Sequence, residues 1–337
     1  MKLCTFVRPG GGALRSGLVL DGRVYDLAGL VKEFGREVPL VANCDYSYVL
    51  GILRTGRSAF ESIKRLQDVL VRDKDRGFDF SFPEEETKLL APVPKPNSIR
   101  DFMVFEKHLI NATHTVASKK FPPAAWLSKL MYSATGRPLL KPPKAWYELP
   151  AYYKGAPDTV IGHGDPIIWP PYTEMLDYEL EFGMYLMEGG VDISEKDAGS
   201  LIAGYTIFND VSARDIQMKE MSTRMGPSKG KDFDSGNVMG PYLVTPDEVG
   251  DPYSLSAQAL VNGEVWTDSS TTGMHFSFEE IIAYVSRSET LRAGDFFGSG
   301  TVAWGCGLEL DRWIKPGDRI TLKVEKLGEL TNQVVRE

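Results

Sequence analysis

The chain has 337 residues, of which 42% are hydrophobic and 25% are charged, and its formal net charge is −8. This composition supplies enough apolar side chains for a core, so it excludes a chain that is disordered by composition. The acidic balance and the lack of a basic stripe argue against a nucleic acid as partner, because phosphate binding needs clustered Lys and Arg.

The cysteines and the N-terminal sequence indicate a compartment. Cys4, Cys44 and Cys306 are widely spaced, so they predict neither a disulfide framework nor a zinc pattern. The segment MKLCTFVRPGGGALRSG lacks the apolar stretch of a signal peptide, and no apolar run approaches the roughly 20 residues that span a bilayer. We therefore expect a cytoplasmic protein that does not bind membranes.

The first 96 residues predict a small α+β domain. Residues 2–8, 16–21 and 23–27 are predicted strands, with a turn at Asp21-Gly22 that is typical of a hairpin. Apolar positions at helical spacing over residues 48–73 predict one or two amphipathic helices. The proline-rich segment TKLLAPVPKPN is the predicted boundary with a second domain, residues 97–337.

The second domain is predicted to be β-rich. A helix predicted over residues 100–117 precedes a Lys- and Pro-rich segment that extends to about 145. Short strands are then predicted at 159–161, 179–186, 204–210, 242–245, 256–261, 296–298 and 319–324, with helices at 195–202, 213–221 and 278–286. Because helices and strands do not alternate regularly, the pattern favours an α+β fold over a doubly wound sheet.

The segment DYELEFGMYL carries acidic residues at alternate positions. On a strand, Asp177, Glu179 and Glu181 would share one face, where they repel one another unless water or a cation screens them. The alternation is consistent both with a solvated strand face and with a hard divalent cation. Mg²⁺, Mn²⁺ or Ca²⁺ fits such oxygen ligands, whereas Zn²⁺ is disfavoured because no His or Cys pair has ligand spacing.

Two further segments contain candidate reactive side chains. In GYTIFNDVSARDIQ, Asp210 ends a predicted strand. Arg214 and Gln217 are three residues apart, so they would share a helix face that could hold a carboxylate. In KGKDFD, Lys231 could bind an anion, although a solvated loop lysine is the alternative.

A histidine is the simplest general base near neutral pH. The histidines are His108, His114, His163 and His275. His108 follows Asp101 by seven residues, so the two side chains are expected on one face of the helix predicted over residues 100–117. A surface histidine without a catalytic role remains the alternative for each of the four.

Four segments in this order resemble the fumarylacetoacetate hydrolase superfamily: DYELEFGMYL, GYTIFNDVSARDIQ, KGKDFDSGNVMGPYLVT and LRAGDFFGSGTVAWGCGLELDRWIKPGDRI. The resemblance extends from about residue 99 to the end of the chain. DFMVFEKH at 101–108 and WYELPAYYKG at 146–155 are similar to the fumarylacetoacetase type of hydrolase within it. The resemblance implies a mixed β-roll catalytic domain and a homodimer.

The resemblance also implies site residues, matched position by position. The implied ligands of a divalent metal, Mg²⁺ or Mn²⁺ with Ca²⁺ as an alternative, are Asp101, Glu179, Glu181 and Asp210. The implied base is His108, oriented by Glu309. The positions implied to contact the substrate or to stabilise charge are Arg214, Gln217, Lys231, Tyr153 and Thr301.

The implied reaction is cleavage of a carbon–carbon bond in a 1,3-diketo acid. The metal would chelate and polarise the dicarbonyl, and His108 would take a proton from water. Lys231, with Gln217 or a backbone N–H group, would stabilise the oxyanion. The same fold and metal would also suit decarboxylation of a 2-keto acid, dehydration of a 2-keto-3-deoxy sugar acid, or ene–keto isomerisation. A non-catalytic binding protein on this fold is a further alternative.

The chain departs from the fumarylacetoacetase pattern at two positions. Met103 replaces a tyrosine and Ala117 replaces an arginine; both face the distal acid end of the substrate in that enzyme, which argues against fumarylacetoacetate itself. Asn111 stands where acylpyruvase and decarboxylase relatives have a glutamate. Residues 118–145 are a predicted lid that sets specificity, and Asp177 is predicted to orient its neighbours without binding the metal.

Overall fold

The structure, a computed structural model, describes residues 1–120, 122–135 and 140–336. The strands are β1 Lys2–Val7, β2 Arg15–Leu20, β3 Arg23–Asp26, β4 Ser81–Pro83, β5 Lys88–Leu89, β6 Ser98–Phe102, β7 Tyr152–Gly155, β8 Val160–Ile161, β9 Ile167–Ile168, β10 Leu176–Asp177, β11 Leu180–Leu186, β12 Ile202–Asp210, β13 Ser212–Ala213, β14 Asn237–Val244, β15 Ser256–Val261, β16 Glu264–Ser270, β17 Asp295–Gly298, β18 Arg319–Val324 and β19 Gly328–Val335. The helices are α1 Leu27–Phe34, α2 Val49–Thr55, α3 Arg57–Asp73, α4 Glu106–Lys120, α5 Pro122–Thr135, α6 Glu195–Ala198, α7 Arg214–Ser222, α8 Pro246–Val249, α9 Phe278–Val285 and α10 Gly307–Leu310.

A large mixed sheet connects most of these strands. Its order is β4-β3-β2-β1-β14-β12-β11-β17-β6-β7, with β5 paired to β1 and β8 paired to β14. A second sheet has the order β16-β15-β18-β19-β9, and β10 pairs with β13. The predicted β-rich α+β fold class is confirmed. Among the described residues, no helix combines the length and the apolar character that crossing a bilayer requires.

The N-terminal strands form the predicted hairpin, and α2 and α3 occupy the segment predicted to be helical. Strand β1 pairs with β14 through Lys2↔Val244 and Leu3↔Leu243, so the N-terminal strands extend the same sheet that contains β11 and β12. The domain boundary at residue 96 stays a prediction.

Strand β11 is covered on both of its faces, and every residue from Leu180 to Leu186 is buried. Leu180, Phe182 and Met184 enter one hydrophobic cluster, while Tyr185 enters another, as the period of two requires. Tyr185 packs against Phe296 of β17 with ring centroids 5.0 Å apart. This double coverage makes β11 a rigid support for Glu181.

The helix predicted over residues 100–117 is wrong at its beginning. Residues 98–102 form β6, which is hydrogen-bonded to β17 on one side and to β7 on the other, so non-local pairing overrides the local helical pattern. Asp101 therefore lies on a strand and His108 on α4, and the two do not share a helix face. Of the lid predicted over 118–145, α5 is described, while residues 121 and 136–139 lie outside the described residues.

We expect Phe296→Ala to destabilise the fold by about 3–5 kcal/mol, because its buried ring contacts Tyr185 and Phe208 and would leave a cavity. The Phe296 ring packs directly against the backbone of β11, since a Cβ at Gly183 would lie only 2.3 Å from that ring. Gly183 has no side chain that could fill the cavity. The measurement is urea-induced unfolding followed by circular dichroism. Val265→Ala, at an exposed position on β16, is the control and should change stability by no more than about 0.5 kcal/mol.

Candidate active site

Three carboxylates from neighbouring strands meet at one place. Asp101 lies on β6, Glu181 on β11 and Asp210 at the end of β12, and their carboxylate oxygens lie within 4.8 Å of one another. All three side chains are buried. Gly298 of β17 lies between them in the sheet, paired with Asp101. A Cβ at Gly298 would lie 2.3 Å from Asp101 Oδ1, so only glycine leaves room for this carboxylate.

Burial and mutual repulsion determine the electrostatics of this carboxylate cluster, Asp101, Glu181 and Asp210. Burial and the charges of neighbouring carboxylates hold the pKa of Asp101 and of Glu181 well above the usual range. Burial also raises the pKa of Asp210 to about 6, although Lys231 opposes that shift. Oδ1 of Asp101 and Oδ1 of Asp210 have no hydrogen-bond partner within the described part of the chain. Closely spaced, unpaired carboxylate oxygens are the donor set that a hard divalent cation prefers.

The fourth predicted ligand, Glu179, is held by two cations. Lys231 Nζ lies 2.6 Å from Glu179 Oε2 and also donates to Asp210 Oδ2, and an Arg214 nitrogen lies 2.8 Å from Glu179 Oε1. Burial would raise the pKa of Glu179, but Arg214 and Lys231 outweigh it and lower that pKa below its usual value. A role for Glu179 as a metal ligand stays a prediction. The alternative interpretation of Lys231 as a solvated loop lysine is wrong, since its side chain is buried.

Asp177 orients Arg214 and the beginning of α10. Arg214 Nε donates to Asp177 Oδ2 at 2.8 Å, and the backbone N–H groups of Gly307 and Leu308 donate to the same carboxylate at 2.8 and 3.0 Å. Arg214 also donates to Gln217 Oε1 at 3.0 Å, as their shared helix face predicted. Asp177, like the acidic residues at 179 and 181, is buried, so a solvated strand face is the wrong interpretation of this segment.

A histidine–carboxylate pair lies in the same region. His108 Nδ1 is 2.8 Å from Glu309 Oε2, and both side chains are buried. Glu309 Oε1 accepts hydrogen bonds from Asn111 Nδ2 at 3.0 Å and from the backbone N–H of Trp304 at 2.8 Å. These contacts fix the carboxylate against the imidazole.

Sequence reasoning missed the part that Asn111 and Trp304 play in this pair. Asn111 follows His108 by three residues on α4, so the shared helix face was a signal that could have found it. The Trp304 N–H is positioned by a left-handed backbone with φ of 62°, for which the sequence gives no sign.

One cavity of about 900 Å³ is lined by His108 and by two members of the carboxylate cluster, Asp101 and Glu181. The predicted substrate-binding residues Tyr153 and Thr301 also line it, as do Gln217, Met103 and Ala117. Thr301 Oγ1 donates to Glu181 Oε1 at 3.2 Å. Among the described lining residues, His108 is the only histidine. The cavity therefore brings together closely spaced carboxylates, a buried histidine and buried positive charges.

Comparisons with known proteins agree on one family. The family model described as fumarylacetoacetate (FAA) hydrolase, C-terminal, matches residues 115–335. The oxaloacetate tautomerase YisK of Bacillus subtilis is 30% identical over 273 residues, which cover 80% of this chain and 81% of that protein. The structure of a fumarylacetoacetate hydrolase from Exiguobacterium antarcticum is similar over 100% of both chains, with 25% identity and a TM-score of 0.68.

A further solved structure shares the fold alone. Maleylpyruvate hydrolase from Sphingobium sp. SYK-6, in complex with a manganese(II) ion and pyruvate, has a TM-score of 0.66 at 20% identity, over 100% of this chain and 99% of that one.

We expect the affinity for Mn²⁺ to weaken as the pH falls through about 6. The raised pKa values mean that cluster carboxylates hold protons at low pH, and a cation must displace them. Affinity should fall by about tenfold per pH unit for each proton displaced. Isothermal titration calorimetry at about pH 7 and about pH 5 in buffers of different ionisation enthalpy measures both the affinity and the proton release. An affinity that is independent of pH would contradict the raised pKa values.

Gly298→Ala should weaken Mn²⁺ binding by at least about tenfold while leaving the protein folded, because the new methyl group displaces the Asp101 carboxylate. Gly199→Ala is the matched control, since a Cβ there meets only the end of the flexible Glu279 side chain, at 3.3 Å. Binding is measured by calorimetry and folding by circular dichroism. Unchanged affinity in the Gly298 variant would show that Asp101 does not contribute to the cation site.

Proposed function

The chain belongs to the fumarylacetoacetate hydrolase family, and on that premise we propose that it is a metal-dependent hydrolase that cleaves a carbon–carbon bond in a 1,3-diketo acid. The observation on which the proposal rests is the buried pair of His108 and Glu309, 2.8 Å apart, in which His108 lines the cavity that Asp101 and Glu181 of the carboxylate cluster also line. That pair supplies a base for water, which hydrolysis requires.

The carboxylate cluster suits Mg²⁺ or Mn²⁺, which we propose as the physiological cations. When bound, such a cation polarises carbonyl oxygens as a Lewis acid. The chain's own part is to hold the carboxylates at fixed positions on three strands, so that the site does not reorganise as the substrate reacts.

His108 acts as the general base. The Glu309 carboxylate accepts a hydrogen bond from His108 Nδ1–H, which leaves Nε2 of the neutral imidazole with a free lone pair. Nε2 takes a proton from a water molecule, and the resulting hydroxide attacks the substrate carbonyl carbon. The bond between that carbon and the neighbouring methylene carbon then breaks, and the methylene carbon takes the proton from the His108 imidazolium, which restores the neutral imidazole. A positioned general base contributes about 10²–10⁴-fold to the rate.

Lys231 stabilises the negative charge that develops on the substrate oxygen. Burial would lower the pKa of Lys231, but Asp210 and Glu179 outweigh it and keep the ammonium charged. At a buried position, a fixed cation acts on a developing oxyanion more strongly than it would in solution. Gln217, held by Arg214, offers an amide to the same region.

Tautomerisation of oxaloacetate is the second candidate. YisK of Bacillus subtilis, which is 30% identical to this chain, is named for that activity. The reaction needs a base that moves one proton between carbon and oxygen, and His108 would serve. It differs from hydrolysis in that water takes no part and no carbon–carbon bond breaks.

The deciding experiment incubates the protein and Mg²⁺ or Mn²⁺ with acetylpyruvate, and separately with oxaloacetate. We expect loss of the diketo acid's enol absorbance, with pyruvate and acetate as products, and no loss when EDTA is present. His108→Gln and Glu309→Gln should each lower kcat/KM by about 10²-fold or more. His163→Gln, whose ring contacts the Glu329 carbonyl outside this cavity, should leave turnover unchanged.

Oxaloacetate separates the two candidates. Faster metal-dependent interconversion of its enol and keto forms, with no cleavage of acetylpyruvate, would replace the hydrolase proposal with the tautomerase. If the His108→Gln and Glu309→Gln variants both keep full turnover, His108 is not the base in either reaction.

A further inference from the structure

The outer part of the active-site cavity has an apolar wall, which we define as Val116, Ala117, Met218, Met221 and Met225. The three methionines are exposed to unusual degrees for large apolar side chains: 42% for Met218, 53% for Met221 and 88% for Met225. Isolated apolar side chains on a surface need no explanation, but a contiguous set that lines one cavity marks a binding site. Methionine is also the side chain that adapts most easily to the shape of an apolar ligand.

The apolar wall extends along α4 and α7, which carry His108 and Arg214 at their beginnings. On α4, His108 and Val116 are eight residues apart, so Val116 lies about 12 Å further along the helix. On α7, Arg214, Gln217, Met218 and Met221 follow the spacing of one helix face. On α7 the lining residues therefore change from polar at the beginning of the helix to apolar in its later turns, and on α4 the charge-bearing group, His108, lies at the beginning while Val116 and Ala117 lie near the end.

The buried cations of the cavity lie at the reactive end. Of the described residues that line the cavity, the cations are Lys154, Arg214 and Lys231. Arg214 and Lys231 are buried and ion-paired beside the carboxylate cluster, whereas Lys154 is an exposed residue of β7. The apolar wall itself contains no charged residue, so a carboxylate placed against it would gain no partner from it, whereas a hydrocarbon tail would cover apolar surface there.

We propose that the apolar wall is a subsite for an uncharged hydrocarbon tail, so that the substrates are acylpyruvates with an alkyl or aryl acyl group of several carbons, and not dicarboxylic diketo acids. This inference rests on the proposed function and names its substrate class. The 2-oxo acid end lies with the cations and the carboxylate cluster, and the tail extends along α4 and α7 toward Met221 and Met225.

The first test compares acetylpyruvate, hexanoylpyruvate and succinylpyruvate as substrates in the presence of Mg²⁺. Each fully buried methylene is worth up to about fourfold in affinity. We therefore expect kcat/KM for hexanoylpyruvate to exceed that for each of the other two by at least about tenfold. Met221→Gln should remove most of that preference. Ala117→Arg should favour succinylpyruvate over hexanoylpyruvate. Val71→Gln, at a 47% exposed apolar position on α3, is the control and should alter neither.

A second measurement is independent of hydrolysis. Calorimetry in the presence of Mg²⁺ compares the binding of 2-oxooctanoate and 2-oxoglutarate, which differ in having an apolar or a carboxylate end. We expect 2-oxooctanoate to bind at least about tenfold more tightly, and Met221→Gln to abolish the difference.

The two measurements separate the two proposals. Preferential binding of 2-oxooctanoate without hydrolysis of any diketo acid would refute the hydrolase and retain the apolar subsite. Hydrolysis without preference for the hexanoyl group, together with equal binding of the two 2-oxo acids, would refute the subsite and retain the hydrolase. Neither hydrolysis nor a binding preference would overturn both.

Discussion

The repulsion among buried carboxylates is the constraint on which the site depends. Among the described residues, five carboxylates besides Glu309 are buried in this region: Asp101, Asp177, Glu179, Glu181 and Asp210. The buried cations that contact them in the described part of the chain are Arg214 and Lys231, and these pair with residues 177, 179 and 210. Asp101 and Glu181 have no such partner, so they must hold protons or face an added cation. The unbalanced charge therefore determines what the site can bind.

The sheet makes this arrangement possible by placing distant parts of the chain side by side. Strands β12, β11, β17 and β6 are neighbours in that order, although β6 precedes β17 by about 200 residues in sequence. Glu181 is fixed on a strand covered on both faces, and Asp101 fits because Gly298 lacks a side chain. Holding like charges close together costs free energy. A flexible loop would lower that cost by moving the charges apart, whereas rigid strands keep them in place.

The sequence predicted what depends on local pattern and missed what depends on distant partners. Strands β15 and β18 were predicted with their observed limits, because their apolar alternation is local. Asp101 was assigned to a helix because the pairing of β6 with β17 cannot be inferred from nearby residues. The burial of Lys231 was likewise not evident, since its partners lie about 20 and 50 residues away. The resemblance identified His108 and Glu309. The hydrogen bonds that Asn111 and Trp304 donate to Glu309 became evident only from the three-dimensional structure.

The His108–Glu309 pair by itself does not decide between hydrolysis and tautomerisation, because both begin with proton transfer to an imidazole. The decision depends on what the rest of the cavity does with the substrate. Oxaloacetate has no hydrocarbon tail, so it gains nothing from contact with Met218 or Met221. An acylpyruvate with a tail gains binding energy remote from the reacting carbons, and that energy can hold the dicarbonyl in place while water enters beside His108. An apolar wall about 12 Å from the base along α4 is therefore of use to a hydrolase of long substrates and of none to an enzyme for a four-carbon acid.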